Sequence, residues 1–473
     1  MALLCLGLWL GIGARAAASE GEVPVYEDGE VVGFIGDSIT HVTYADHGYV
    51  ELVEQYYLSR FPERQIEFRS IGAGGYKAGD ILNIYDLDPA FRGLDRAVIM
   101  LGTNEAILGL PKEEYMDNMA RLVERLKQDS LAEEDILILS PPICDETWAV
   151  GYAWNFEDRV LEYMEELEAR AQEWGVGYLD FHTSMARVTE EIQKEDPYNS
   201  LTRDSIHPNA MGHRLIAFYF LQAQGFGGEA LSDIRIPENG EPYCSGDEIT
   251  DLYRGEKGIY GMLHLRTLPP ADEDELSEFR AFSEEADILY GKRFQAEGLA
   301  PETFYQIFMG DALLGEFTGE ALAQGIDLTV LEGCPGREAM GRIAELGRER
   351  HQKCADHRSM WIEVMMQRAS YTPEQAQAAY DSWRAEDERL RSEMYALAKD
   401  AAGDILELAV VEKGYSAAEL RQESAQAREH AQEQAMRKWQ ELSAQLQERA
   451  AKTAEGLGNG MSLFTRRMEN FPF

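Results

Sequence analysis

The chain has 473 residues and carries 44 Lys+Arg against 85 Asp+Glu, a formal net charge of −41. Hydrophobic residues make up 45% and aromatic residues 10%, enough to bury a core, so the acidity belongs to the surface of a folded protein. Such an excess of acids excludes a generic nucleic-acid binder, which needs clustered cations against phosphate, and an electrostatic binder of anionic membranes.

Met1 to Ile12 is an apolar run too short to span a bilayer, and Ala16-Ala17-Ala18-Ser19 follows it with small residues suited to cleavage after Ala18. The pattern predicts a signal peptide over 1–18, with only the terminal amine as its basic end, and hence a secreted or cell-envelope-exposed protein. No later stretch has the roughly 18 uncharged apolar residues of a membrane-spanning helix, so no integral membrane span is expected. Cys5 would leave with the signal. Cys144, Cys244, Cys334 and Cys354 contain no Cys-x-x-Cys pair, which argues against a zinc knuckle and favours free, buried thiols over bridges.

From Val31 to Gly225, short β-rich runs alternate with amphipathic stretches. Val31 to Ile35, Gln65 to Arg69, Ala97 to Leu101, Ile136 to Leu139 and Gly177 to Phe181 read as strands. Between them, Tyr49 to Arg60, Met116 to Lys127 and Glu157 to Glu173 carry helical periodicity, and a last helix follows Pro208. Alternation of this kind predicts an α/β fold with a parallel sheet covered on both faces. From about Gly227 the pattern changes. Glu248 to Tyr253 with Gly258 to Leu265, and Phe304 to Met309 with Leu313 to Phe317, read as two strand pairs around turns, separated by an acidic helical segment from Asp272 to Asp287. Beyond Gly336 the sequence reads as helical almost throughout; Trp439, Leu442 and Leu446 mark an amphipathic helix and not a sustained coiled coil. The expected organisation is an α/β domain over 28–226, a small β-rich accessory region over 227–335 and a helical region over 336–473.

Four segments at predicted strand ends carry the chemistry. Gly36-Asp37-Ser38-Ile39-Thr40 can aim a serine hydroxyl into the cleft at the carboxyl end of the sheet. In Asp204-Ser205-Ile206-His207-Pro208-Asn209, an aspartate three residues ahead of a histidine can accept the Nδ1 proton and leave Nε2 to take a proton from a serine. Gly72-Ala73-Gly74-Gly75-Tyr76 and Gly102-Thr103-Asn104-Glu105 offer a closely approaching backbone N–H and a side-chain amide, the donors that an oxyanion needs. Each segment alone is ordinary: a turn, a helix cap, a glycine loop. Their order at the ends of one alternating unit is what carries information.

Over about residues 30–225 this set resembles the SGNH (GDSL-type) hydrolases, whose blocks each hold one invariant Ser, Gly, Asn or His. The resemblance implies a flavodoxin-like three-layer α/β/α sandwich. It implies a catalytic triad of Ser38, Asp204 and His207, with an oxyanion hole from Gly75, Asn104 and the Ser38 amide. Two departures stand out, Glu105 where the family often has Asp and Ser70 where an Asn usually opens the second block. The likeness is greatest to bacterial members with Gly-Asp-Ser-Ile-Thr-His, here through His41, which also carry a segment like Gly315 to Leu322.

The implied activity is serine ester hydrolysis without a cofactor or metal; the nine histidines form no His-Glu-x-x-His cluster. Export, a polar cleft loop and the lack of hydrophobic lid segments favour a short acyl group such as acetyl on a carbohydrate or small-molecule ester, and the net charge favours a neutral substrate. A lysophospholipase or short-chain lipase is the enzymatic alternative, and a surface protein with a relic hydrolase domain the non-enzymatic one. His41, His47, Trp148, Tyr152 and Trp154 could contact substrate or serve local packing. Met360 to Met366 reads as a helix face in the core.

Overall fold

The β-branched run at Val31 opens the first strand of a sheet whose two faces the sequence separates residue by residue. The structure, a computed structural model, describes residues 23–456 except 42–47, 149–154, 272, 281–283 and 366–371. The predicted signal peptide therefore lies outside the described residues, as do His47, Tyr152, Trp154 and the side chain of Trp148.

In chain order come β1 (Val31–Gly36), α1 (Ser38–His41), α2 (Tyr49–Arg60), β2 (Glu67–Gly72), α3 (Ala78–Ile84), β3 (Arg96–Met100), α4 (Thr103–Leu108) and α5 (Lys112–Gln128). They are followed by β4 (Ile136–Leu139), α6 (Phe156–Trp174), β5 (Gly177–Leu179), α7 (His182–Glu195) and α8 (Ala210–Ala223). The five strands are parallel in the order β2-β1-β3-β4-β5. Because side chains alternate across a strand, Val32, Phe34, Val98, Met100, Leu137 and Leu139 face the core under α2, α7 and α8. Ile35, Ala97, Ile99, Ile136 and Ile138 face the opposite core under α3, α5 and α6. This is the expected three-layer α/β/α arrangement. Its chain reverses direction across the sheet between β1 and β3, which is where open α/β sheets form a crevice at the strands' carboxyl ends.

Two further sheets follow. One combines β6 (Ser232–Ile236), β7 (Tyr243–Ser245), β10 (Lys292–Ala296) and β13 (Ile326–Asp327). The other combines β8 (Glu248–Gly255), β9 (Gly258–His264), β11 (Phe304–Met309), β12 (Ala312–Thr318) and β14 (Ile405–Glu412) in the order β12-β11-β14-β9-β8. The helices of this half are α9 (Glu273–Arg280), α10 (Glu284–Leu289), α11 (Gly319–Gln324), α12 (Arg337–Met365), α13 (Pro373–Ala401) and α14 (Ala417–Gly456).

The segment 336–473, read as helical almost throughout, also holds a strand that the sequence reading did not single out. Residues of β14 pair antiparallel with both β9 and β11, so a strand from the helical segment sits at the centre of the second sheet. Leu408 and Val410 fill the core of that sheet; eight residues between long helices are a weak periodic signal, and only the two waiting edges make them a strand. The four described cysteines are free thiols, Cys144 and Cys334 buried, Cys244 and Cys354 partly so. Trp361 and Ile362 are buried, with Trp361 stacked on His357, whose ring also stacks on Trp383, and tilted against Tyr380. Among the described residues, no helix is long and apolar enough to cross a membrane.

Helix α2 shows how the two halves meet. The sequence suggests one apolar stripe through Val50, Val53 and Tyr57, yet Glu51, Leu52, Glu54 and Leu58 are buried as well. The inner face packs on the sheet core, while Leu58 joins Met340, Ile343, Leu346, Leu390 and Met394 of α12 and α13. Glu54 is fully buried and takes both carboxylate oxygens to the Arg350 guanidinium, with His351 on Oε2. A buried carboxylate needs such a partner, because desolvation of a lone charge costs several kcal/mol.

Candidate active site

The site sits at the carboxyl ends of β1, β2 and β3 and on the loop before α8. Ser38 is the first residue of α1, with only Asp37 between it and β1. Gly36 permits that turn: a Cβ there would lie 2.1 Å from Thr40 Oγ1 and 2.9 Å from Met100 O.

Ser38 Oγ lies 2.9 Å from His207 Nε2, and His207 Nδ1 lies 2.8 Å from Asp204 Oδ2. The other carboxylate oxygen, Oδ1, accepts the backbone N–H groups of His207 at 2.8 Å and Ile206 at 3.2 Å. Ser205 between them adopts φ +73, an uncommon left-handed conformation for a residue with a side chain. It lets the chain turn back so that carboxylate and imidazole of one short loop face each other. Burial tends to raise the Asp204 carboxyl, but the His207 N–H, the His207 ring and the Ile206 N–H outweigh it and hold the group below the usual range.

The loop is fastened from below. Thr202 and Pro208 form a β-bridge, and Arg203 N donates to His207 O at 3.0 Å. Asp145, after β4, accepts from Ser200 Oγ at 2.5 Å and from Gln193 Nε2 at 2.9 Å. Asn209 caps α8 through Gly212 N at 2.9 Å and holds Ser200 O at 2.7 Å. Asn209, and not Asp204, is thus the helix cap, which leaves the aspartate to the histidine.

Gly75 lies in the exposed turn after β2 with φ +74. Asn104 is in the first turn of α4, and its amide donates to Tyr76 O at 3.0 Å and to Asp37 Oδ2 at 3.3 Å. Ser38, His207 and Asp204 are thus joined by hydrogen bonds, and Asn104 reaches the neighbours of the other two residues singled out in the sequence, Asp37 beside Ser38 and Tyr76 beside Gly75.

Sequence reading gave Asp37 no role and noted Glu105 only as a departure from the family pattern; both are buried carboxylates that knit the blocks together. Asp37 Oδ1 accepts Ile39 N at 2.9 Å while Oδ2 meets Asn104. Glu105 Oε1 accepts Ala78 N at 2.7 Å, joining the third block to the second, and Oε2 has no hydrogen-bond partner among the described residues. Burial raises both groups to about 7; a backbone N–H opposes it in each, and the Glu105 charge adds to the rise at Asp37. The other departure from the family pattern, Ser70, donates to Thr40 O at 2.7 Å and links β2 to α1. Among the described residues, no group of three or more His, Cys, Asp or Glu is arranged to hold a metal ion.

Residues 34–215 match the GDSL-like lipase/acylhydrolase family. A mouse protein named isoamyl acetate-hydrolyzing esterase 1 homolog is 25% identical over 199 residues, which are 38% of this chain and 76% of the mouse protein. The solved structure of a gut microbial diltiazem-metabolizing enzyme has a TM-score of 0.70 at 21% identity, covering 83% of this chain and 99% of its own. That likeness is one of fold. At 83% of the chain it takes in more than residues 34–215, so it includes part of the added sheets and helices. An acetylxylan esterase from Geobacillus stearothermophilus covers 42% of this chain and 95% of its own at 23% identity, with a TM-score of 0.35. Residues 34–215 are a domain of the GDSL-like (SGNH) hydrolase family, and the protein is a carboxylic ester hydrolase.

Proposed function

We propose that this esterase works through a Ser38 acyl-enzyme and removes short acyl groups, acetyl foremost, from carbohydrate esters. The observation that carries the mechanism is the unbroken chain Ser38 Oγ, His207 Nε2, His207 Nδ1, Asp204 Oδ2, with its two links of 2.9 and 2.8 Å. His207 takes the serine proton as Oγ attacks the ester carbonyl, and Asp204 fixes the tautomer and stabilises the imidazolium. The oxyanion is received by the Gly75 and Ser38 backbone N–H groups and by the Asn104 amide, whose longer bond to Asp37 is the one it gives up. The alkoxide leaves with the proton from His207. Water, deprotonated by the same ring, then cleaves the acyl-enzyme to the free acid and restores Ser38.

The acetyl preference draws support from the name of the mouse relative, an isoamyl acetate-hydrolyzing esterase homolog. The net charge of −41 supports a neutral substrate, since a strongly negative field repels polyanions and anionic lipid surfaces. The test is hydrolysis of p-nitrophenyl acetate, butyrate and palmitate and of acetylated xylan, by the wild type and Ser38→Ala. Acetate turnover lost in Ser38→Ala is the expected result. Activity retained in that variant would remove the nucleophile, and a palmitate preference would replace the acetyl reading with the lipase one.

A further inference from the structure

Strand β2 is an edge of the parallel sheet. Its odd-numbered residues bond inward; Glu67 N and Ala73 N, for instance, donate to Glu30 O and Gly36 O on the β1 side. The carbonyls of Ile66, Phe68, Ser70 and Gly72 point outward, and each is met by a side chain from the C-terminal helices. Tyr395 Oη of α13 donates to Ile66 O at 2.5 Å, and Arg350 Nη2 of α12 to Phe68 O at 3.0 Å. Cys354 Sγ reaches Ser70 O at 3.8 Å, and Arg358 Nε donates to Gly72 O at 3.2 Å. The spacing explains the fit: four helical residues advance about 6.0 Å and two strand residues about 6.6 Å, so α12 runs in step with β2. The helix takes the place of a sixth strand.

The last rung lies at the active site. Gly72 begins the turn that carries Gly75, and a Cβ on Gly72 would fall 2.3 Å from His41 N, so this strand end is locked against α1. Ser359 Oγ, the next side chain of α12, bonds His41 Nε2 at 3.1 Å across 318 residues of sequence. His41 closes the short helix that Ser38 opens. Burial, and next the Arg358 guanidinium, push the His41 imidazole down to about 4, so it meets Ser359 as a neutral ring. The Arg358 fork is itself fixed by the buried Asp88 carboxylate.

We infer that Arg358 and Ser359 are positioning residues for ester hydrolysis: one turn of α12 clamps the Ser38 helix and the Gly75 turn in register. This gives the C-terminal half a role in the chemistry, and it rests on the esterase reading above. The decisive variant is Arg358→Lys, which keeps a cation opposite Asp88 but loses the planar fork that serves Asp88 and Gly72 O together. The comparator is Arg350→Lys, a lesion of the same ladder at its far end. A small displacement of catalytic groups costs about tenfold to a hundredfold in rate. Arg358→Lys is therefore expected to lower kcat on p-nitrophenyl acetate at least tenfold with KM within about twofold, while Arg350→Lys lowers Tm and keeps kcat within about twofold. Hydrogen exchange supplies a readout independent of turnover: amides of 72–78 should exchange faster in Arg358→Lys and not in Arg350→Lys. Ser359→Ala, which leaves the ion pair intact, should show a smaller loss of the same kind. Equal kcat in both lysine variants, or unchanged exchange over 72–78, would overturn the inference. A wild type that turns over no ester would sink the esterase reading instead, and the exchange arm would still decide whether α12 holds the turn.

Discussion

Glu105 gives a stability prediction whose sign depends on pH. Its carboxyl is buried, uses one oxygen to accept Ala78 N at 2.7 Å and leaves the other without a partner among the described residues, and burial raises it from 4.5 to about 7. In the unfolded chain it ionises near 4.5; in the folded protein it keeps its proton to about 7. Below pH 4.5 both states are protonated and the group adds no penalty. Between 4.5 and 7 the folded state binds the extra proton, so stability falls as pH rises; above 7 the full cost remains. At about 1.4 kcal/mol per pH unit the loss is about 3 kcal/mol. Glu105→Gln keeps the acceptor for Ala78 and cannot ionise. It should match the wild type at pH 4.5 and exceed it at pH 8 by up to about 3 kcal/mol, about 3 °C of Tm at roughly 1 °C per kcal/mol for a chain of this length. Asp37 sharpens the effect, because the lost Glu105 charge also eases its own ionisation. Thermal melts of both proteins from pH 4.5 to 8 check this. A Tm difference that does not change with pH, or that reverses, refutes the buried-carboxylate argument.

Two further predictions concern the site. Asp204→Asn keeps an oxygen for the Ile206 and His207 N–H groups but places an amide against His207 Nδ1, so kcat should fall about 10³–10⁴-fold with little change in Tm; a loss under tenfold on p-nitrophenyl acetate would remove Asp204 from the triad. Gly75→Ala meets no atom within 4 Å of its Cβ, so its cost comes from φ +74 alone. That is about 1 kcal/mol of stability. As the turn relaxes toward negative φ its N–H swings away, and kcat should drop roughly 10²-fold. Unchanged kcat would show that this amide does not face the oxyanion.

Much of the site was legible because its residues carry local signatures: Gly36-Asp37-Ser38 after a strand, a glycine turn, Asn104, and Asp204 three residues before His207. The sheet was legible for the same reason, since alternating Val, Ile and Phe runs mark strands whatever surrounds them. What escaped is structure made by partners distant in sequence. The segment Ile405–Glu412 lies between helices and becomes a strand only because β9 and β11 offer it two edges. Arg358 and Ser359 have no local signature, since what they recognise is the Gly72 carbonyl and the ring of His41, one backbone group and one residue far off in the chain. The buried states of Asp37 and Glu105 were hidden similarly, because acids beside a polar motif read as solvated until the packing around them is known.

This dependence bears on whether the esterase domain could stand alone. A chain cut to residues 23–230 keeps the whole parallel sheet and every residue of the proposed site. It loses the four donors to the outward carbonyls of β2, the Arg350 partner of the buried Glu54, and the apolar cover of Leu58. A bare edge strand invites pairing with other chains, and a carboxylate stripped of its buried partner costs about 3–5 kcal/mol unless water reaches it. Water would reach Glu54 here, so the larger penalties are the exposed apolar face of α2 and the open edge. The truncated chain should therefore aggregate, or melt at least 10 °C below the full chain at roughly 2–4 °C per kcal/mol. Size-exclusion chromatography with thermal melts reads the outcome. A monodisperse fragment with the Tm and kcat of the full protein would make the C-terminal half a true appendage and leave α12 no part in the site.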